Sequence, residues 1–386
     1  MIMSRFFRLS LVVMVFIWVN GPIHSQNVSV SEPLTNDSLA EAGGIAGLGE
    51  KVLDLVTWER GDVVYTFYPS ISVSPRNGFV YGVMPAIKWN SSRKGKFNTI
   101  AINLEHSTKG MLQLQFEHEW YFHSSWLTTG ESFVNSREDQ YWLGGTDEEF
   151  YFDRKEFRIE WDFLNNLLPS LWIGGGILLN NNRFDTFTRR VFAEEQFVGS
   201  DGGWILGIGP KLVFDTRHRT LSPQRGSWLT FYPLFAGVAG AGDYNYQRYT
   251  FDGRQYFSLK EDVATLAFQL VMDYAHDEIP FFEEPYLGGK ERLRGIGHPL
   301  KETDNAVWLA RAEVRHHLWW RFGVVAFAGA GQAGSHFKKP FSDLISSVGG
   351  GLRFRMLPDD PLNVRFDFGA SSIGTTGFFI SLKEAF

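Results

Sequence analysis

The segment 156–163 alternates strictly between ionisable and large apolar side chains. The two sets are Glu156, Arg158, Glu160 and Asp162, and Phe157, Ile159, Trp161 and Phe163. Successive side chains of a β-strand point to opposite faces, so this period of two predicts a strand with one ionic face and one apolar face. Such a strand separates a polar environment from an apolar one.

The same alternation returns in three segments of the C-terminal part of the chain, 310–315, 363–368 and 378–382. In the first two, the polar positions are Arg311, Glu313, Arg315, Asn363, Arg365 and Asp367. In the last, Phe378, Ile380 and Leu382 share one face. The pattern therefore describes much of the chain and not one isolated strand.

Two architectures alternate in this way, a β-sandwich around a protein core and a β-barrel in lipid. A sandwich core mixes in smaller packing residues, and its strands average about 5 or 6 residues. Here the candidate strands are longer, and aromatic residues gather near their ends, as in Tyr121-Phe122, Trp319-Trp320 and Tyr65. The chain holds 35 Phe, 13 Trp and 13 Tyr. Long strands with an aromatic outer face favour a closed barrel, because in lipid only closure satisfies every backbone group.

Fifteen strands can be marked from the pattern. They lie near Tyr65, Phe79, Phe97, Met111, Phe152, Leu171, Trp204, Trp228, Tyr249, Val263, Ala306, Arg321, Ser347, Leu362 and Gly377. Bacterial single-chain barrels have an even number of strands, so we predict sixteen, with the missing one between His123 and Glu149. The predicted fold class is all-β, a transmembrane antiparallel β-barrel.

The N-terminus has the pattern of a secretory signal peptide. Arg5 and Arg8 precede the apolar stretch Leu9 to Val19, and the small residue Ser25 follows. The stretch is too short for a membrane anchor, the alternative interpretation. We expect a cleaved signal peptide over residues 1–25, a short periplasmic tail or plug over 26–62, and the barrel over 63–386.

Composition excludes several other classes. The absence of cysteine excludes a disulfide scaffold and Cys-based metal sites. Past the N-terminus, no apolar run approaches the ~18 residues of a spanning helix. The net charge of −6 gives no electrostatic footprint for nucleic acid, so no nucleic-acid partner is expected.

One connection is much longer than the others, with about 30 residues between Ala275 and Ala306. Loops beyond about 12 to 15 residues are uncommon and usually functional. One interpretation is an exposed loop with solvated charges. The other is a loop folded into the lumen, where Arg294 pairs with a carboxylate of the inner wall, a role that suits the planar, permanently charged guanidinium.

Within this connection, Leu287-Gly288-Gly289 and Leu293-Arg294-Gly295 resemble the lumen-loop signature of the BamA/TamA superfamily of outer-membrane barrels, the bacterial surface antigen type. Segments 214–217, 223–226 and 347–353 agree with the resemblance. It implies a 16-strand barrel with a weak seam between the first and last strands, in the outer membrane of a Gram-negative bacterium. The best-known members insert or export polypeptides.

The end of the chain is similar to the C-terminal signal by which such barrels are recognised for assembly. Its residues are Phe378, Ile380, Leu382 and Phe386. The resemblance therefore implies outer-membrane lipid and the barrel-assembly machinery as partners for the protein's own insertion.

Three features depart from the family pattern. Ile296 stands where most members have an aromatic residue, and Gly329 stands where an acidic partner of the loop arginine is usual. Glu313, on the ionic face of the preceding strand, is then the candidate partner of Arg294. Residues 26–62 are too few for a polypeptide-transport-associated domain, so we expect a member that lacks these domains.

We expect no enzymatic activity, catalytic residue, cofactor or metal. The candidates His276, His298, His316 and His317 are interpreted as lumen or interface residues, because adjacent strand residues face opposite sides and no Gly-x-Ser-x-Gly elbow occurs. The sequence predicts a barrel that moves or inserts polypeptide or lipid, with a periplasmic partner or client protein. The alternative is a passive pore or structural surface antigen whose loop plugs the lumen.

Overall fold

The computed structural model describes residues 57–92, 97–142, 148–185, 197–219, 222–337, 343–355 and 363–386, with Thr188, Phe192 and Glu194. The expected signal peptide and residues 26–56 of the expected tail lie outside these ranges and stay predictions. In the part of the chain that is described, no helix has the length and apolar character needed to cross a membrane.

Sixteen strands form one closed antiparallel β-barrel. They are β2 (Val63–Ser74), β3 (Gly78–Asn90), β4 (Phe97–Ser107), β5 (Leu112–His123), β6 (Trp126–Trp142), β7 (Glu149–Leu168), β8 (Leu171–Phe184), β9 (Gly203–Asp215), β10 (Gly226–Ala236), β11 (Tyr246–Lys260), β12 (Ala264–Asp277), β13 (Ala306–Trp319), β14 (Phe322–Gly334), β15 (Ile345–Arg355), β16 (Asn363–Ser371) and β17 (Thr376–Leu382). Each pairs with the next, and β17 closes the ring on β2. The predicted fold class and strand number are confirmed, and β6 lies where the missing strand was expected.

A short strand, β1 (Thr57–Arg60), precedes the barrel. It turns at Gly61, whose φ of 62° suits a residue without a Cβ, and pairs with residues 63–66 of β2. Residues 57–62, which the sequence places in the tail, thus form a hairpin arm on the first barrel strand.

The two faces of β7 show why this sequence forms a barrel. Glu156 and Asp162 are buried inside the lumen, whereas Phe163 is exposed on the outer surface. On β13, Arg311, Glu313 and Arg315 face inward, and Val314 is exposed outside. The alternation therefore sorts polar residues to the lumen and apolar residues to lipid.

The sequence pattern suggests an ionic inner face. The structure shows that part of the lumen is apolar. Towards the end where the long loop enters, inward positions of several strands are aromatic or aliphatic. They form a cluster with residues of that loop, which includes Tyr141, Phe152, Phe184, Ile205, Leu234, Tyr246, Phe281 and Phe282. These inward positions are apolar because a packed plug, not water, covers them.

The connections differ in length between the two ends of the barrel. The turns at 124–125, 169–170 and 320–321 are short and lie at the end that holds Val63 and Leu382. The connection over 278–305 lies at the opposite end. Short turns are typical of the periplasmic side of outer-membrane barrels. The hairpin arm lies at this short-turn end.

The closure between β17 and β2 is weak. Strand β17 has 7 residues and β2 has 12. Among the residues that the structure describes, Ile380 opposite Val73 is the single residue pair between them. The arm β1 occupies the same edge of β2 at residues 63–66, so the edge over residues 67–72 has no strand partner in the described chain.

A cysteine pair at this closure tests the register. Val73 and Ile380 are opposite residues whose side chains face outward, so the double substitution Val73→Cys with Ile380→Cys is expected to form a disulfide on oxidation. The chain has no cysteine of its own. The measurement is a mobility shift of the unfolded protein on a non-reducing gel.

The control combines Val73→Cys with Phe368→Cys on β16, one strand further away. It should not crosslink. Crosslinking in the control but not in the Val73 and Ile380 pair would show that β2 and β17 are arranged differently.

Candidate functional site

The connection between β12 and β13 folds back into the lumen and holds its own shape. Leu287 N donates to Glu302 O at 2.9 Å, and Gly289 N donates to Ile296 O at 2.8 Å. Leu293 N donates to Leu287 O at 3.0 Å. These bonds satisfy backbone groups that would otherwise be buried without partners. We call residues 278–305 the lumen loop.

Apolar side chains fix the tip of the lumen loop to the wall. Leu287, Leu293 and Ile296 are fully buried against Val307 and Leu309 of β13. Ile296, which departs from the family's aromatic residue, fits because Gly288 lies directly beneath it. A Cβ at position 288 would lie 2.6 Å from Ile296 Cγ2.

Arg294 lies at the centre of the lumen with only 1% of its surface exposed. Its Nη2 donates to Glu313 Oε1 on β13, the partner predicted from sequence. Its Nη1 donates to Asp367 Oδ2 on β16 at 2.8 Å. The guanidinium carbon lies 3.5 Å from the centroid of the Phe327 ring on β14. One side chain thus joins the loop to three wall strands.

Both carboxylates also bind other arginines. Glu313 accepts from Arg315 Nε at 3.0 Å, and Asp367 accepts from Arg353 Nη1 at 2.6 Å. Neither carboxylate side chain has exposed surface. Buried charges are tolerated when they are paired and hydrogen-bonded, so removing one member leaves its partners uncompensated.

Asp367 is the site residue that sequence reasoning missed. The acid that the family carries at position 329 has no room here, because a Cβ there would lie 2.8 Å from Arg311 Cβ and 2.9 Å from Leu293 Cδ2. Asp367 supplies the second carboxylate from two strands further along the sheet. The alternation over 363–368 assigned it to the ionic face, but alternation gives no register between distant strands.

The backbone of the lumen loop also touches the wall. Gly295 N donates to Ser347 Oγ at 2.8 Å, and Thr375 Oγ1 donates to Gly295 O at 2.9 Å. A Cβ on Gly295 would lie 2.5 Å from the carbonyl carbon and oxygen of Ala370. Glycine is therefore needed at this position for the close approach.

The start of the lumen loop is held by a second set of contacts. Glu283 Oε1 accepts from Arg158 Nη1 at 2.7 Å and from Asn180 Nδ2 at 2.6 Å. The Tyr141 hydroxyl donates to Glu284 Oε2 at 3.1 Å. Burial raises the pKa of the Glu284 carboxyl to about 7. The loop is thus tied at both its start and its tip.

The residues of the expected C-terminal assembly signal divide between the two faces. Phe378 is exposed on the outer surface and Ile380 is half-buried there, while the side chain of Leu382 lies outside the described structure. After β17 the chain turns inward, so that Phe386 is buried near Tyr256 with the Arg311 guanidinium carbon 4.3 Å from its ring centroid. The role in assembly stays a prediction.

The candidate histidines are scattered. His276 is exposed beside Asp277, and His316 is exposed on β13. The ring nitrogen Nε2 of His317 lies 2.9 Å from Trp320 O. His298 is buried in the lumen loop with Nε2 3.3 Å from Asp139 Oδ1. His316 and His317 both line one small cavity at the end of the barrel that holds Val63, and His276 and His298 do not line it.

Arg294→Ala is expected to destabilise the folded barrel by about 3 kcal/mol or more, because two buried carboxylates lose a partner. The measurement is the midpoint temperature of the heat-induced gel mobility shift, together with protease resistance of the lumen loop. Arg219→Ala is the matched control. Arg219 and Asp262 form an ion pair with side chains 44% and 62% exposed, so its loss should cost about 1 kcal/mol at most. Equal midpoints for the two variants would contradict the role of Arg294.

Gly295→Ala should release the tip of the lumen loop, because the new methyl group collides with the backbone of Ala370. Gly175→Ala is the control, since a Cβ there comes no closer than 3.2 Å to Gly209 O. We expect faster proteolysis within the lumen loop for the first variant alone. Unchanged proteolysis of Gly295→Ala would show that the loop backbone does not pack against the wall.

Comparison with solved structures supports the fold. The chain is similar to BamA from Haemophilus ducreyi lacking POTRA domains 1-3, with TM-score 0.59 and 12% identity over 84% of this chain and 70% of that one. It is similar to CdiB from Acinetobacter baumannii, with TM-score 0.55 and 11% identity over 83% and 60%. CdiB from Escherichia coli gives TM-score 0.54 and 11% identity over 84% and 63%. At these identities the likeness shows the fold alone.

The chain spans less than two thirds of the length of both CdiB structures. No curated protein matches it. A family model does match, that of the Omp85 superfamily domain, over residues 93–372. This match covers more than half of the chain, and a barrel of this family implies the bacterial outer membrane. The chain therefore belongs to the Omp85 superfamily.

Proposed function

We propose that this protein moves or inserts a substrate, polypeptide or lipid, at the outer membrane through the seam between β2 and β17. The observation that carries the proposal is the single residue pair, Val73 with Ile380, that joins the two strands in the described chain. Every other neighbouring pair of barrel strands is joined by at least six residue pairs.

The open edge of β2 supports the proposal on energetic grounds. Backbone groups in the hydrocarbon region have no water to bind, and each one left unsatisfied costs several kcal/mol. The edge over residues 67–72 has no pair in the described chain, and residues 67–70 lie beyond the end of β17 at Leu382. An incoming extended polypeptide can supply the missing backbone partners by strand addition. Because a single residue pair joins them among the described residues, separating β2 from β17 also requires less free energy than separating other neighbouring strands.

The filled lumen favours a substrate path through the seam rather than through a central channel. The lumen loop crosses it, with Arg294 locked at the middle and the aromatic cluster near the entry of the loop. On the periplasmic side, the last residues fold inward, where Arg315 Nη2 donates to Phe386 O at 2.8 Å. A substrate that used the lumen would have to displace both segments.

The alternative function is a passive pore or surface antigen. A 16-strand barrel encloses an aqueous lumen unless something fills it, and the inner wall here is polar over much of its length. The lumen loop would then serve as the plug. A periplasmic partner or client protein belongs to the first function and not to this one.

The seam proposal is tested in a strain that lacks the gene. Complementation with wild type should restore the outer-membrane proteome and lipid asymmetry. The Val73→Cys and Ile380→Cys pair should restore them only when a reductant keeps the seam open, whereas the Val73→Cys and Phe368→Cys control should restore them under both conditions. Full activity of the oxidised seam pair would contradict the proposal.

Planar-bilayer conductance distinguishes the alternative. A translocating barrel with a locked lumen loop should show no stable open channel in the wild type. A stable channel in the wild type, widened by Arg294→Ala, would favour the passive pore.

A further inference from the structure

A small cavity opens in the periplasmic mouth of the barrel, away from the lumen loop. It has a volume of about 50 Å³. Ser222 and Gln224 of the connection after β9 and Asp262 of the connection after β11 line one side. The inner wall lines the other side, with arginines 315, 353 and 355 among its residues.

Three arginines of this cavity have donors without an acceptor. Arg315 Nη1, Arg353 Nη2 and Arg355 Nε are buried and make no hydrogen bond to any described residue. The side chains of Arg315 and Arg353 are 9% and 5% exposed. A buried charged donor without an acceptor costs free energy, and native proteins satisfy the great majority of such groups. Three of them around one cavity indicate a site built to receive an acceptor.

The cavity is positive. Within the part of the chain that is described, the charged residues that line it are Arg315, Arg321, Arg353, Arg355, Asp262 and Glu384. Glu384 Oε2 lies 2.8 Å from Arg353 Nε and 3.8 Å from Arg315 Nε. Behind the lining, Arg315 also pairs with Glu313, and Arg353 with Asp367. Arg355 forms no ion pair within the described residues, and the lining carboxylate that attracts it, Asp262, also pairs with Arg219.

We propose that this cavity binds an oxyanion of the phosphate class. The planar guanidinium fork matches the oxygens of a phosphate group, and charge-assisted bonds of this type are the stronger ones. The Glu384 carboxylate already lies on one side of the cavity beside Arg353 and Arg315. These guanidinium groups therefore already bind an oxyanion. The anion would take the free donors next to it. The phosphate group belongs either to a soluble phosphate or to a lipid headgroup at the periplasmic leaflet.

The test uses the full-length protein in non-ionic detergent, titrated calorimetrically with inorganic phosphate and, separately, with phosphatidic acid in mixed micelles. Chloride at equal ionic strength and phosphatidylcholine are the reference titrants. Arg355→Gln should weaken binding about tenfold, the value of one charge-assisted hydrogen bond. Glu384→Gln should tighten binding because it removes a negative charge from the rim.

Arg217→Gln is the matched control, since Arg217 lies at the same end of the barrel but its guanidinium is already paired with Asp215. It should bind like the wild type. Arg321→Gln, at the edge of the cavity, is the second variant if Arg355→Gln does not fold. If only phosphatidic acid binds, and the variants change its affinity as expected, the ligand is a lipid headgroup. If phosphatidic acid and inorganic phosphate both bind, the site recognises the phosphate group itself. No saturable binding of either titrant, or equal affinity in both cavity variants and wild type, would overturn the proposal.

Discussion

The buried pairing of Arg294 with Glu313 and Asp367 is the interaction on which the rest of the lumen depends. It links the tip of the lumen loop to strands β13 and β16, and Phe327 of β14 covers the guanidinium. Taking three charges out of water is costly, and only complete pairing offsets the cost. The loop therefore has one well-defined position. With that position fixed, the aromatic cluster can pack and the lumen is filled.

The filled lumen and the weak seam are the two features on which the proposed transfer through the seam rests. The side of the wall that holds the loop, β13 to β16, is joined by long ladders. The weak point lies just beyond it, where β17 meets β2. Because the loop contacts Gly377 of β17 and Gly369 of β16 closely, its position also bears on the strand that closes the seam. The lumen loop therefore packs against the strand that closes the seam.

Much of the fold could be predicted from sequence, because lipid imposes a period of two and closure imposes an even strand number. The alternation over 156–163 placed both faces of β7 correctly, and Glu313 was identified as a partner of Arg294. Asp367 and the aromatic end of the lumen could not be predicted. Both depend on which strands face each other across the closed ring, and the local sequence pattern does not encode this. The position of Asp367 also reflects the lack of space for a side chain at Gly329.

The most direct measurement of the central claim is site-specific photocrosslinking in living cells. A photoreactive residue at Phe67, exposed on the unpaired edge of β2, should form adducts with a polypeptide or lipid substrate during its transfer. The same residue at Leu212, equally exposed on β9 across the barrel, should not. Substrate adducts at Phe67 alone would agree with passage through the seam. Equal adducts at both positions, or none at Phe67, would contradict it.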